Sequence, residues 1–356
     1  MKILQASAAG LRAEFRRRRL RPGAGIPGGA HATIGWDRNE QSGEGREYGT
    51  SPTEPSSGVD YEDYEKLAHS VMISSLKRLI IGSPLEEPAR TFHGWLTLNR
   101  PARMNQQIDI ASGHPAIDRY LAQSYEQVRG MSSRFAAAIC GHLIRRQSEL
   151  AIAGDLVEIG TFEGRFFIAM ALGLVVGEKA LGIDRFDWPD PGIESRFLAN
   201  CTTHGVARDR FLCWKVDSRE ITARDLRDKL SQVRFVHIDG HHSRGCLTND
   251  LELVHPIMHL DGIICLDDML HPCYPMMVTA VFDYLVRHPE MRLLGVIDRE
   301  DILAAPKFLV CRDDALELYK YDLLNAFSRF HFSLDADMET YFAPVLTPRP
   351  PKTRRP

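Results

Sequence analysis

The sequence predicts an α/β protein built on a doubly wound, mostly parallel sheet of seven strands. From Asp155 onward, short apolar segments of strand length alternate with segments of helical periodicity. A repeated strand–helix order requires crossover connections, which place parallel strands in one sheet and helices on both of its faces. The predicted strands are Leu156–Gly160, Ala180–Asp184, Phe211–Val216, Phe235–Asp239, Gly262–Asp267, Arg292–Ile297 and Lys307–Cys311.

Helical periodicity predicts an N-terminal helical extension before this sheet, with helices near 60–82, 115–128 and 132–149. Between the strands, helices are expected near 164–176, 192–204, 222–230, 244–258 and 276–288, with a closing helix over 312–330.

Four regions follow from this pattern. Residues 1–58 form a basic tail rich in glycine and proline, with too little apolar surface to offset the entropy of ordering. Residues 59–150 form a helical lead-in placed to cover a substrate pocket. Residues 151–330 form the main domain, and residues 331–356 a C-terminal tail.

Composition and charge exclude several classes of protein. A net charge of -3 over 356 residues provides no basic field for nucleic acid. No apolar run approaches the roughly 18 residues that a membrane span needs. We therefore expect a cytoplasmic protein that acts on a small molecule. The oligomeric state is left open, a homo-oligomer included.

The turn after the first strand carries two glycines. Gly160 permits a tight turn where the backbone must approach a ligand, and Gly164 opens the following helix. The spacing is G-x-x-x-G with no third glycine, which disfavours a pyrophosphate-binding dinucleotide site. Taken alone, the turn is equally typical of an ordinary strand-to-helix connection.

Acids at the next two strand ends give the turn a possible ligand. Asp184 lies 24 positions beyond Gly160, where a carboxylate can accept both hydroxyls of a ribose. Asp217 and Ser218 follow the third strand and are placed to meet an adenine amino group. Together the three strand ends frame an adenosyl ligand without a phosphate.

Two later motifs make the pattern specific. The fourth strand ends in His237-Ile238-Asp239-Gly240-His241, and the fifth in Leu266-Asp267-Asp268. With the glycine turn they resemble the class I S-adenosylmethionine-dependent methyltransferases, and more narrowly the family with I-D-G-x-H and L-D-D motifs (methyltransferase domain 24-like), over roughly 130–312.

The resemblance implies a Rossmann-like methyltransferase fold and a set of cofactor contacts. These fall on Glu158, Gly160, Asp184 and Asp217. We assign Thr161, Gly164, Ser218 and Asp239 to the same S-adenosylmethionine site.

Three carboxylates are expected to converge beyond the cofactor. Asp239, Asp267 and Asp268 would repel one another, and a hard divalent cation such as Mg²⁺ relieves that repulsion. Metal-dependent small-molecule and sugar O-methyltransferases, which the chain resembles, place metal carboxylates at these two strand ends. The alternative is that Asp239 only binds the cofactor amino group, while the pair caps the next element.

The resemblance also implies a general base. In the sugar enzymes a histidine three residues after the metal aspartate holds this position, which His242 matches beside Asp239. His271, His241 or no histidine at all are the alternatives. His255 and His259, four residues apart, are predicted to be packing residues rather than a metal pair.

The leading hypothesis is therefore methyl transfer from S-adenosylmethionine to an oxygen of a small molecule or sugar, assisted by a divalent metal. The alternatives are an oxidoreductase on a similar fold, a catalytically silent cofactor-binding protein, and a hydroxylating relative from an antibiotic pathway. The missing third glycine argues against the first, and the mass of the product separates methylation from hydroxylation.

Overall fold

A single nine-stranded sheet organises the chain in a computed structural model, which describes residues 108–301 and 304–350. These residues all belong to one compact unit. The strands are β1 Asp155–Ile159, β2 Ala180–Asp184, β3 Phe211–Lys215, β4 Val233–Ile238, β5 Met258–Leu266, β6 Met291–Ile297, β7 Lys307–Arg312, β8 His331–Asp337 and β9 Phe342–Leu346. Their order across the sheet is β3-β2-β1-β4-β5-β7-β6-β9-β8.

Eight α-helices surround the sheet in the described residues. They are α1 Pro115–Gln123, α2 Arg134–Glu149, α3 Arg165–Ala171, α4 Ile193–Thr203, α5 Ala223–Arg227, α6 Arg244–Val254, α7 Met277–Arg287 and α8 Asp313–Ala326. Side-chain caps begin several of them: the Ser133 hydroxyl accepts from the Ala136 amide ahead of α2, and Ser243 does the same for Cys246 ahead of α6.

The sheet separates two apolar cores. On one face Leu156 and Phe235 pack with residues of α1–α4 and α8, and on the other Val157 and Val236 pack with residues of α5–α7. This alternation follows from the period of two along a strand. Both faces are covered, as the repeated strand–helix order predicts.

The strand order reverses beside β1. From β1 the chain proceeds outward to β2 and β3, all parallel, and then returns to place β4 and β5 parallel on the other side of β1. Ligands of such sheets bind at this switch point, outside the carboxyl ends of the strands. The candidate site is therefore expected where β1 and β4 end.

The predicted fold class is confirmed, and all seven predicted strands are present within a few residues of their predicted ends. Residues 331–346, predicted to be part of a tail, form β8 and β9 instead. β8 is an outer strand in which Phe332 and Leu334 are exposed. The alternation of apolar residues along it therefore does not correspond to a buried face. The sheet thus continues beyond its predicted edge.

The predicted N-terminal tail and the helix near 60–82 lie outside the described residues. The later helices of the lead-in are present as α1 and α2, and both contribute to the core that covers one face of the sheet. In the described part of the chain, no helix has both the length and the apolar character that a membrane crossing needs.

A buried ion pair ties the sheet to its helices at the edge opposite the switch point. Arg234, in β4, is fully buried and bonds both carboxylate oxygens of Glu178 at 2.8 and 2.7 Å. It also donates to the carbonyls of Gly154, Ile144 and Gly173, with the Nε hydrogen shared between Gly154 and Glu178. The guanidinium thereby joins β4 to the segments that precede β1 and β2.

We expect Arg234→Met to destabilise the protein by about 3–5 kcal/mol, because it leaves the Glu178 carboxylate buried without its partner. The matched control is Arg244→Ala, which breaks an exposed pair with Asp283 and should cost less than about 1 kcal/mol. Urea denaturation of both variants measures the difference. Equal losses would contradict the role given to the buried pair.

Candidate active site

The turn after β1 is pressed against the end of β4. Gly160 has a φ of +85°, and a side-chain carbon added there would overlap the backbone carbonyl of Asp239. Its amide donates to the Ile183 carbonyl at 2.8 Å, which also ties the turn to β2. Only glycine combines this backbone conformation with so close an approach.

Asp184, predicted to bind the ribose, holds the glycine turn in place. Its Oδ2 accepts the amides of Thr161 and Phe162 at 2.8 and 2.9 Å, and its Oδ1 accepts the amide of Phe186 at 2.8 Å. A carboxylate has about four acceptor positions, so these three bonds leave one for a ligand. Ribose binding by Asp184 stays a prediction.

Gly164 closes the turn at the start of α3. Its φ is +90°, and an added side-chain carbon would lie 3.0 Å from the ring of Phe197. The Gly164 amide donates to the Thr161 carbonyl at 2.8 Å. Both glycines predicted from the spacing are therefore required by the local backbone.

An open, polar cavity of about 360 Å³ lies beside the ends of β2 and β3, where the adenosyl group is expected. Asp217 lines it and is bound by Arg219 through two bonds of 2.9 and 2.6 Å. These bonds lower the pKa of Asp217 to about 2. Ser218 follows directly, and its carbonyl accepts from Asn249 at 3.3 Å.

A buried polar network runs under the switch point. Glu158 and His237 are register partners in β1 and β4, and Glu158 Oε1 lies 2.6 Å from His237 Nδ1. Lys307, at the start of β7, is paired with Asp267 and also lies 3.1 Å from Ser132 Oγ and 3.2 Å from His237 Nε2. All five side chains are buried.

Proton positions in this network follow from the donors. An ammonium has three donors and no acceptor, so Lys307 donates to Asp267 and Ser132. Burial and Lys307 lower the pKa of His237, but Asp267 and Glu158 outweigh them and raise it to about 9, so His237 Nδ1 donates to Glu158. Burial raises the pKa of Glu158. Burial acts the same way on Asp267, but the Lys307 ammonium outweighs it and holds the pKa of Asp267 well below its usual range.

A second group stands above the network, at the mouth of the cleft. His242 Nε2 lies 2.6 Å from Asp268 Oδ2 and 3.7 Å from Asp239 Oδ1, and its ring stacks on Tyr274. Burial and the neighbouring carboxylates of Asp267 and Asp268 raise the pKa of Asp239 to about 7. Burial lowers the pKa of His242, but Asp239 and Asp268 outweigh it and raise the value to about 10.

The predicted metal trio is divided between these two groups. Asp239, His242 and Asp268 offer ligand atoms within 4.8 Å of one another, and so do His237, Asp239 and Asp267. Asp267 is already neutralised by the Lys307 ammonium, and the Ser132 hydroxyl and the Asp268 amide take two more of its acceptor positions. Asp239 and Asp268 fit a divalent cation, and Asp267 does not.

Backbone strain marks the same place. Asp268 adopts a left-handed φ of +58°, which non-glycine residues rarely do outside turns and functional sites. Of the alternative bases, His271 stacks its ring at 4.9 Å on Tyr274, the same ring on which His242 stacks, and His241 is exposed.

Three buried side-chain atoms at the switch point have no hydrogen-bond partner among the described residues. They are Glu158 Oε2, Thr161 Oγ1 and His242 Nε2. His242 Nε2 still lies 2.6 Å from the Asp268 carboxylate and is ion-paired with it, unlike the other two atoms. A buried polar atom without a partner costs about 1–3 kcal/mol, which a bound ligand would recover.

Sequence reasoning missed the residues that organise the network. Lys307, His237 and Ser132 received no role, although a lysine opening the apolar strand Lys307–Arg312 is a signal of a buried charge. The partner could not be found from the sequence, since Ser132 is 175 residues away from Lys307.

Comparison with known proteins supports the resemblance to methyltransferases. Residues 157–269 match the family model described as a methyltransferase domain. The predicted recognition of an S-adenosylmethionine-dependent methyltransferase is confirmed at the level of the family, and the match spans β1 to the Asp267–Asp268 pair. No curated protein matches the chain.

Several solved structures are similar to the chain. CalS11, a TDP-rhamnose 3'-O-methyltransferase of calicheamicin biosynthesis, is 19% identical over 66% of this chain and 98% of its own, with a TM-score of 0.42. TomG from Streptomyces achromogenes, solved with S-adenosylmethionine, is 17% identical over 56% and 89%, with a TM-score of 0.42. An O-methyltransferase from Bacillus cereus is 12% identical over 56% and 90%, with a TM-score of 0.43.

We expect Gly160→Ala to destabilise the protein by more than the roughly 1–2 kcal/mol that a left-handed alanine costs, because the methyl group overlaps the β4 backbone. Gly177→Ala is the matched control: its φ is +93°, but nothing lies within 4 Å of the added carbon. Urea denaturation compares the two variants. If both lose the same stability, the close approach at Gly160 is not a constraint.

Proposed function

We propose that the chain transfers a methyl group from S-adenosylmethionine to an oxygen of a small molecule, a sugar hydroxyl included. The methyltransferase family match supports the reaction class. The observation that carries the cofactor assignment is the pair of partnerless buried atoms, Glu158 Oε2 and Thr161 Oγ1, beside the glycine turn. A ligand at the switch point would supply the partners that both atoms lack.

The charge of the site suits this cofactor. S-adenosylmethionine carries a sulfonium and an ammonium, and Glu158 and Asp239 provide carboxylates on either side of Gly160. Its adenosyl group has no phosphate, in keeping with the G-x-x-x-G turn. We propose that the adenosyl group occupies the cavity beside Asp217 and Ser218, with Asp184 holding the turn and accepting from the ribose.

The transfer is an in-line displacement. The acceptor oxygen forms a bond to the methyl carbon while the carbon–sulfur bond breaks, and the sulfur keeps the electron pair. The protein's contribution is to align oxygen, carbon and sulfur, to exclude water and to receive the hydroxyl proton. We propose that Asp239, whose pKa is about 7, receives it, and that the protonated His242 beside it at the mouth of the cleft orients that carboxylate.

Asp239 and Asp268 would hold a divalent cation if one takes part, with His242 beside them. When bound, such a cation would polarise the acceptor hydroxyl. We do not assign Asp267 to it, because Lys307 provides the cation for that carboxylate. A small molecule as acceptor and a cytoplasmic location remain part of the proposal, on the grounds of charge and composition given above.

Isothermal titration tests the cofactor. We expect the purified protein to bind S-adenosylmethionine and its demethylated product, and Glu158→Gln to weaken binding at least tenfold, a loss of about 1.4 kcal/mol. Glu317→Gln, an exposed change on α8, is the matched control and should bind unchanged. If the protein binds neither compound, the proposal is refuted. Binding without formation of a methylated product would indicate a catalytically silent cofactor-binding protein.

Turnover with and without chelator tests the metal once an acceptor is found. We expect Asp268→Asn to abolish the Mg²⁺ response while stability is retained. Asp267→Asn should instead destabilise the fold by about 3–5 kcal/mol, because Lys307 remains buried without its carboxylate. Undiminished turnover in chelator would remove the metal from the reaction.

The role of His242 is tested by His242→Gln and His271→Gln. The first should slow turnover about tenfold or more, because Asp239 loses the cation that orients it, and the second should have little effect. The reverse result would move the role to His271.

A further inference from the structure

A second group of metal-ligating side chains lies at the opposite edge of the sheet. His255 follows α6, His288 follows α7, and Glu290 directly precedes β6. This is the edge where β5 and β6 begin, whereas the glycine turn lies where β1 and β4 end. The group is therefore separate from the methyltransferase site.

The three side chains bring ligand atoms close together, with the two imidazole rings stacked at 4.0 Å. His255 Nε2 lies 3.4 Å from Glu290 Oε1, and His288 Nδ1 lies 3.8 Å from the same oxygen. All three atoms are within 4.8 Å of one another. A tetrahedral Zn²⁺ with bonds of about 2.0–2.1 Å needs ligand atoms about 3.3–3.4 Å apart, and the two distances to Glu290 approach that spacing.

The other nitrogen of each ring has a partner that orients it. His255 Nδ1 lies 2.6 Å from the buried Tyr284 hydroxyl. His288 Nε2 lies 3.1 Å from Glu252 Oε2, and Arg287 holds the same carboxylate at 2.9 Å. Metal-bound histidines characteristically donate their second N–H to a carboxylate or similar acceptor. The remaining nitrogens, Nε2 of His255 and Nδ1 of His288, face Glu290.

The donor set selects the class of metal. Two imidazoles and one carboxylate suit Zn²⁺, whereas Mg²⁺ prefers oxygen ligands alone. Arg312 also approaches Glu290, but at 3.8 Å it forms no hydrogen bond.

We propose that His255, His288 and Glu290 form a Zn²⁺ site with a fourth position open to water. The ion would fasten the ends of α6 and α7 to the start of β6. The proposal is independent of the reaction at the switch point.

Zn²⁺ titration against a chromophoric chelator tests the site in a variant whose cleft ligands are removed, Asp239→Asn with Asp268→Asn. Adding His255→Ala or His288→Ala should remove one equivalent of bound Zn²⁺, or weaken it at least tenfold. His259→Ala is the matched control, since His259 has similar exposure nearby, and should leave binding unchanged.

Glu252→Gln tests the orienting carboxylate without touching a ligand, and should weaken binding about tenfold. Circular dichroism without metal establishes that each variant is folded. If a histidine variant does not fold, the Glu252 variant still tests the site. Zn²⁺ binding that is the same with and without His255 and His288, or no binding at all, would overturn the proposal.

Discussion

The contact between Gly160 and the backbone of Asp239 is the constraint on which the rest of the site depends. It brings the ends of β1 and β4 together without an intervening side chain. The glycine turn, the Asp184 clamp and the carboxylates after β4 and β5 are then arranged around one opening. A side chain at position 160 would separate the two strand ends and, with them, the two halves of the proposed cofactor site.

Below this contact the protein distinguishes two adjacent aspartates. Asp267 points into the buried network and is neutralised by Lys307, whereas Asp268 turns through a left-handed backbone conformation toward His242. The antiparallel pairing of Leu266 with Phe308 explains the first, because it places the start of β7 beside the end of β5. Neighbours in sequence therefore have different chemical surroundings.

Much of the fold was predictable because buried strands leave continuous apolar segments between helical ones. β8 was not, since it lies at the edge of the sheet with Leu334 exposed. The glycine turn and the acids at the strand ends were also predictable, as topology alone brings strand ends together. The pairing of Asp267 with Lys307, and of His255 with His288 rather than His259, depends on side-chain directions and distant partners that local spacing does not encode.

Burial of the Lys307–Asp267 pair affects how the cleft responds to dissolved salt. Ions in solution screen charges that water reaches, and screen buried pairs far less. Asp239, His242 and Asp268 are partly exposed, so dissolved salt weakens their attraction for a cationic ligand. Asp267 and Lys307 are sealed from the solvent. Two aspartates that are adjacent in sequence thus differ in their sensitivity to ionic strength. Dissolved ions screen the charge of Asp268 far more than that of Asp267.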